Sequence, residues 1–246
     1  MDLGLDGRLC VVTGATRGIG AATARMLSQE GAQVLSVARA GADLELDVTD
    51  PDAGERVLAA CERTPWALVN NAGTTRARPL EELTDADWQA QWEVHVMAPM
   101  RLMSALAPAM AEAGEGRIVN VASSSGKRPS QRLDASYSVT KAAQLSLSRL
   151  FAEAFADKGV LVNAVAPGPV ETPVWTDEGG LADQIARRSG KTREDVLAAT
   201  GGGMPIGRMG SEDEIAAVIV FLCSTRASDV VGAAWSVDGG SMASII

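Results

Sequence analysis

Cysteine is scarce in this chain of 246 residues, and its three copies, Cys10, Cys61 and Cys223, lie far apart among apolar neighbours. They read as small core residues in a reducing compartment, which excludes a disulfide frame or a metal site. Basic residues are also short, 22 Lys and Arg against 31 Asp and Glu, for a formal net charge of −9. Neutralising nucleic-acid phosphates needs clustered Lys and Arg, so no nucleic-acid partner is expected. No apolar run approaches the roughly 18 residues of a membrane span, so no membrane partner is expected either. The opening M-D-L-G-L-D-G-R has neither the apolar region of a signal peptide nor the character of a transit peptide, and the expected location is cytoplasmic. Repeats, low-complexity tracts and linkers are missing as well. At 46% hydrophobic the chain can bury a sizeable core, and residues 1–246 read as one α/β domain.

What is present is organised around a glycine-rich turn. Residues 9–12 form an apolar run bounded by Arg8 and Gly14, the pattern of a buried strand. Gly14, Gly18 and Gly20 follow, with Thr16, Arg17 and Ile19 between them, and then an amphipathic run over 19–30. Strand, glycine turn and helix N-terminus together make an anion site, because glycine lets backbone approach a phosphate and the first helical turn offers unpaired N–H groups. The spacing is G-x-x-x-G-x-G, and no Lys-Ser or Lys-Thr follows, which argues against a nucleoside-triphosphate loop. A tight strand-to-helix connection without a ligand is the alternative reading.

Strands are then expected over 33–38, with Arg39 just past the end, and over 44–47 with Val48. A helix is expected from Asp50-Pro51 to about Arg63, with Asp50 as cap and Pro51 in the first turn. A fourth strand over 67–70 runs into N-N-A-G at 70–73, followed by a helical region over 85–113, adjusted around Pro99 and Pro108. A fifth strand over 117–122 ends in the serines 123–125. A long helix over 136–157 and a sixth strand over 160–166 lead to Pro167-Gly168-Pro169. Residues 175–204, charged and glycine-punctuated, read as a mobile, mildly helical flap. Helix and strand resume over 211–224 and 234–237. The alternation predicts a doubly wound parallel sheet of about seven strands with helices on both faces.

In such a sheet ligands bind beyond the carboxyl ends of the strands. Thr13, Arg39, Asp47, Asn70, Ser123 and Pro167-Gly168 fall there. Tyr137, the only tyrosine, and Lys141 lie one helical turn apart and share a face. An ammonium beside a phenol favours the phenolate of a group whose ordinary pKa is about 10. Ser123 is placed to hydrogen-bond a substrate oxygen. An ordinary helix surface is the alternative for an isolated Y-x-x-x-K.

The segments T-G-A-T-R-G-I-G (13–20), N-N-A-G (70–73), I-V-N-V-A-S ending at Ser123, Y-S-V-T-K (137–141), P-G-P-V-E-T (167–172) and V-V-G-A-A-W-S-V-D-G-G (230–240) resemble, in order and spacing, the short-chain dehydrogenase/reductase family, and within it the 3-oxoacyl-ACP-reductase-like members. The resemblance spans nearly the whole chain. It implies a Rossmann-like sheet, a nicotinamide cofactor and hydride transfer between that cofactor and a small carbonyl or hydroxyl compound. It implies Tyr137 as general acid or base, Lys141 lowering its pKa and holding the cofactor ribose, and Ser123 orienting the substrate oxygen. Gly14, Thr16, Arg17, Gly18, Ile19 and Gly20 would belong to the cofactor site, as would Arg39. Asp47 and Val48 would meet the adenine, Asn71, Ala72 and Gly73 the adenosine side, and Pro167, Gly168, Val170 and Thr172 the nicotinamide. The family also implies a homotetramer, with the alanine-rich faces of 98–113 and 142–156 and the tail 242–246 as surfaces to bury.

One position departs from the pattern. His95, the only histidine, stands where the family has asparagine, which helps hold a water linking the catalytic lysine to solvent. A passive stand-in, a titrating relay and a defect are the competing readings, and the last leaves open a cofactor-binding scaffold or sensor with impaired catalysis. The interval from Ser123 to Tyr137 looks slightly long for the family and reads as a loop adjustment. Ala38 occupies the place of the acidic residue that receives an adenosine ribose hydroxyl, and Arg39 and Arg17 suit a 2′-phosphate. NADP(H) is therefore expected ahead of NAD(H), although an Arg39 turned to solvent or stacked on adenine would permit NAD(H). Trp175, Leu181, Ile185, Met204 and Ile206 form a candidate apolar lid. Lys127, Arg128 and Arg132 lie near the mouth, where they would meet an anionic substrate or merely line a solvated loop.

Overall fold

Strand Leu9–Thr13 (β1) is buried along its whole length, as are Ala67–Asn70 (β4) and Gly116–Val121 (β5). Continuous apolar runs of this kind suit parallel strands covered on both faces, whereas a one-sided sheet would show alternation. With Gln33–Ala38 (β2), Leu44–Glu45 (β3), Val160–Pro167 (β6) and Ala234–Val237 (β7) they form one parallel sheet of order β3-β2-β1-β4-β5-β6-β7. The computed structural model describes residues 1–130 and 133–243.

The two-residue period of a strand divides β1 between two cores. Cys10 and Val12 face a cluster with Leu27, Ile215, Ile219 and Leu222, contributed by helices Gly18–Gln29 (α1) and Glu212–Cys223 (α10). Val11 faces the opposite cluster with Val57, Leu102, Leu106 and Val162, fed by Ala53–Ala60 (α2) and Ala98–Glu112 (α4). Helix Ala135–Phe155 (α6) packs on that second side through Leu147, Phe151 and Ala152. The chain runs outward from β1 in one direction through β2 and β3 and in the other through β4 to β7, so the winding reverses between β1 and β4. A crevice opens at the carboxyl ends of strands beside such a reversal.

Several boundaries differ from expectation for local reasons. β3 stops at Glu45, because beyond it the Asp47 carboxylate accepts from the Thr49 N–H and hydroxyl at 3.0 and 2.7 Å and turns the chain. α2 begins at Ala53, since the Asp50 carbonyl accepts from the Ala53 N–H at 3.1 Å and closes a turn ahead of the helix. The region over 85–113 is divided into Asp85–Trp92 (α3), a widened π-helical turn Glu93–Met97, and α4. The widened turn ends just before Pro99, which has no N–H for an ordinary helical bond. Pro108, exposed, sits inside α4 without breaking it. The region expected as a flap is largely helical: Pro173–Thr176 (α7), Leu181–Ser189 (α8) and Arg193–Gly202 (α9), with a small core of Ala182, Ala186 and Val196. No helix among the described residues is long and apolar enough to cross a membrane.

Candidate active site

A cleft of about 1390 Å³ opens at the carboxyl ends of the strands. Every residue expected to act in catalysis or to hold the cofactor lines it except Gly20. At one end β1 turns into α1 through Gly14 and Gly18, whose φ angles of +64° and +62° are strained for any residue with a side chain. Gly20 serves from behind. A Cβ there would lie 2.2 Å from the Gly14 carbonyl oxygen and 2.4 Å from Asn71 Nδ2, so only glycine lets the helix start seat against the turn. α1 has no side-chain cap and no acid in its first turn, which leaves its first N–H groups and positive dipole end open to an anion. This cradle fits the phosphates of a dinucleotide.

The N-N-A-G loop is tied to that turn. Thr13 Oγ1 accepts from the Asn71 and Ala72 N–H groups, both at 3.0 Å, and the Asn71 amide donates to the Thr13 carbonyl at 2.9 Å. Thr13 thus fixes both lips of the cleft, a role its place at a strand end suggested only in outline. Arg39 is exposed just past β2, with no ion pair among the described residues. Asp47 is held below the usual carboxylate range, first by the Thr49 hydrogen bonds, with the Arg39 charge assisting.

At the other end Ser123 caps a short helix Ser124–Lys127 (α5), its Oγ accepting from the Ser125 N–H at 3.1 Å. Tyr137 stands in the first turn of α6, capped by Asp134, and Lys141 follows one turn later. The Lys141 ammonium lies 5.7 Å from the Tyr137 ring centre and donates to the Val121 carbonyl at 2.8 Å and to Gln144 Oε1 at 2.9 Å. Burial pulls Lys141 down to about 7. Burial pushes the Tyr137 phenol up, and the hydrogen bond with Ser123 works against it. Gln144, buried beside the lysine, went unrecognised in the sequence because an isolated glutamine on a helix carries no motif.

His95 is fully buried in the π-helical turn, its ring edge-on to Tyr137 with centres 5.3 Å apart. Nε2 accepts from the Thr74 N–H at 3.2 Å, and Nδ1 lies 3.1 Å from Thr140 Oγ1. The Thr140 hydroxyl donates to the Ser136 carbonyl at 2.9 Å, so Nδ1 carries the ring proton and donates to Thr140. Burial, and then the Lys141 charge, hold His95 well below its ordinary 6.5. The ring is therefore neutral, with both nitrogens occupied.

Not every residue expected at the mouth reaches it. Lys127 turns away and donates to the Ala234 carbonyl at 2.6 Å and Ser236 Oγ at 2.9 Å on β7. Arg128 lines the cleft, as does Arg76, which sequence reasoning missed; Arg132 lies outside the described residues. Trp175, Leu181 and Met204 form an apolar wall, whereas Ile185 packs on the small core of α8 and α9. Ile206 is 52% exposed, its N–H held by the Gly239 carbonyl.

The sequence matches, over residues 14–242, the family described as "Enoyl-(Acyl carrier protein) reductase". Cis-4-hydroxycyclohexanecarboxylate dehydrogenase of Sinomonas cyclohexanicum is 39% identical, aligned over 95% of this chain and 96% of that protein. The 3-oxoacyl-(acyl-carrier-protein) reductase FabG of Vibrio cholerae is 32% identical over 97% of this chain and 98% of its own length. The crystal structure of L-sorbose reductase from Gluconobacter frateurii, complexed with NADPH and L-sorbose, is similar over 100% of both chains, with a TM-score of 0.90 and 33% identity.

Proposed function

Because this chain belongs to the short-chain dehydrogenase/reductase family of NAD(P)-dependent oxidoreductases, we propose that it moves hydride between NADP(H) and a small carbonyl or secondary alcohol, with Tyr137 exchanging the proton. The observation that carries this reading is the convergence of Ser123, Tyr137 and Lys141 on the same cleft as the glycine cradle. When bound there, the nicotinamide supplies or accepts the hydride. Ser123 Oγ orients the substrate oxygen. In reduction the Tyr137 hydroxyl gives its proton to that oxygen, and in oxidation its phenolate takes the proton back. Lys141 has three donors and spends two on Val121 and Gln144, which leaves one N–H for a cofactor ribose hydroxyl. Trp175, Leu181 and Met204 offer an apolar wall against which the body of the substrate would pack.

The NADP(H) preference rests on Arg17 and Arg39, which line the cleft, and on Ala38 where a carboxylate would repel a 2′-phosphate. The NADPH in the L-sorbose reductase structure, and the NADP bound by a Beutenbergia cavernae relative of 32% identity and TM-score 0.86, support the same choice. His95 gives no support to an inert scaffold, since its hydrogen bonds are complete and Ser123, Tyr137 and Lys141 are all in place. The protein assembles as a homotetramer. Val139 and Leu150 on α6, at 48% and 61% exposure, and Val231 and Trp235 about the edge strand β7 are the apolar side chains such contacts would cover. Sedimentation at micromolar concentration tests the assembly, and monomer alone would refute it.

The activity is tested by following reduced nicotinamide absorbance against a panel of cyclic ketones, sugars and oxo acids. NADPH consumption with at least one carbonyl compound, faster than with NADH, is expected. NADPH binding without turnover of any of them would favour the scaffold.

A further inference from the structure

The walls of the cleft oppose the charge of the chain. The protein as a whole carries net charge −9, yet among the described residues the charged side chains lining the cleft are Arg17, Arg39, Arg76, Arg128 and Lys141 against a single carboxylate, Asp47. Cations gathered in a cleft with low-dielectric walls focus the field and concentrate anions. Arg17 and Arg39 lie at the glycine cradle and past β2, where the proposed cofactor brings its own phosphates. Lys141 is bound to Val121 and Gln144. Asp47, the one acid, is engaged with Thr49 on the Arg39 side. Arg76 and Arg128 are the cations this leaves without a use.

Both are carried by segments tied to the elements that bear the reacting groups. The Arg76 carbonyl accepts from the Asp134 N–H at 2.9 Å, at the cap of the helix whose first turn carries Tyr137. Arg128 closes α5, the short helix capped by Ser123, its N–H donating to the Ser124 carbonyl at 2.9 Å. The Arg76 strand of loop is steadied from the other side, where the Ala77 N–H donates to Gln184 Oε1 of α8 at 2.8 Å. Neither guanidinium has an ion-pair partner among the described residues, while Arg78, two residues from Arg76, is paired with Asp87. The same cleft is lined by an apolar wall, Trp175 of α7, Leu181 of α8 and Met204 just past α9.

A guanidinium presents donors in a planar fork that matches a carboxylate. Resting on the oxidoreductase reading above, we propose that the substrate is a carboxylic acid with an apolar body, whose carboxylate is received by Arg76 and Arg128 while its carbonyl or hydroxyl group meets Ser123 and Tyr137. The relative of 39% identity, named as a dehydrogenase of a hydroxycyclohexanecarboxylate, has a substrate of this form.

The test is binding, so it does not depend on turnover. Calorimetry on the protein saturated with NADP+ compares cyclohexanecarboxylate with its neutral isostere cyclohexanecarboxamide. The acid is expected to bind roughly tenfold tighter, with the difference shrinking as salt is raised. Arg76→Gln and Arg128→Gln are each expected to remove most of that difference while amide and NADP+ affinities stay unchanged. Equal affinity for acid and amide, or equal losses for both in the variants, would overturn the proposal. A third titration with coenzyme A alone, in which the arginine variants lost affinity while the acid's was untouched, would also overturn it, by assigning these arginines to a phosphate. Acid-selective binding without turnover of any oxo acid would instead leave this inference standing and count against the oxidoreductase reading.

Discussion

His95 Nδ1 donates to Thr140 Oγ1 across 3.1 Å, one residue before Lys141 in the chain. With Thr74 bonded to the opposite nitrogen, the imidazole braces the N-N-A-G loop against α6. A brace of this kind must stay neutral, since a protonated Nε2 could no longer accept from Thr74. His95→Asn, which also offers a donor and an acceptor, is expected to keep kcat within about tenfold, while His95→Ala loses more by leaving the Thr74 N–H without its partner. Kinetic profiles against pH check this. A limb near neutrality that vanishes in His95→Asn would show a titrating relay, and unchanged activity in His95→Ala would remove the residue from the account.

Lys141 gives a stability prediction with a definite sign. Its folded-state pKa of about 7 lies below the ordinary 10.5, so between those values the unfolded chain holds a proton that the folded chain has released. Stability therefore rises with pH across this window and has no such slope below it. Thermal unfolding of the cofactor-free protein is expected to show that rise in wild type and to lack it in Lys141→Met. Parallel curves for the two proteins from pH 7 to pH 10 would contradict the assignment.

Gln144 Oε1 accepts from the Lys141 amine at 2.9 Å, a bond that favours the protonated form against burial. Gln144→Leu should lower the Lys141 pKa further, since burial remains and the compensating bond is lost. The expected reading is a pH profile of kcat/KM whose lysine limb moves down by roughly half a unit or more, with Gln144→Glu moving it up. A Gln144→Leu protein with reduced activity but an unmoved profile would limit Gln144 to packing.

The proposed preference for NADP(H) rests on two adjacent positions. Ala38→Asp with Arg39→Leu places a carboxylate at the end of β2 and removes the guanidinium, and is expected to invert the preference towards NADH. The comparison is kcat/KM for NADPH and NADH in both proteins. A wild type that already prefers NADH would sink the phosphate assignment for Arg39.

Much of this architecture is legible without coordinates, because the local signals agree with the global ones. Strands β2, β4 and β7 fall where apolar runs bounded by glycine, charge or asparagine placed them, and the capping boxes Thr84–Asp87 and Ser211–Glu214 start their helices close to where expected. The misreadings have long-range causes. The π-helical turn around His95 falls next to the adjustment expected at Pro99, but its hydrogen bond to Thr140 on another helix is a contact that periodicity does not see. Lys127 looked like a mouth residue because it lies between Ser123 and Tyr137, yet β7, more than a hundred residues on, takes its ammonium. Arg76 carries no such signal for the converse reason, lying in a loop that only the folded chain brings to the cap of α6.

The central claim is that Tyr137 Oη delivers the proton that accompanies hydride transfer, and isotope transfer tests it most directly. NADPH deuterated at the reactive nicotinamide carbon is incubated with a turned-over oxo acid and either wild type or Tyr137→Phe, and the alcohol product is weighed by mass spectrometry. Wild type is expected to place deuterium on the carbinol carbon, and Tyr137→Phe to lose about 10²–10⁴-fold in rate while its NADPH affinity stays near wild type. Deuterated alcohol forming in Tyr137→Phe at more than about a tenth of the wild-type rate would contradict the account.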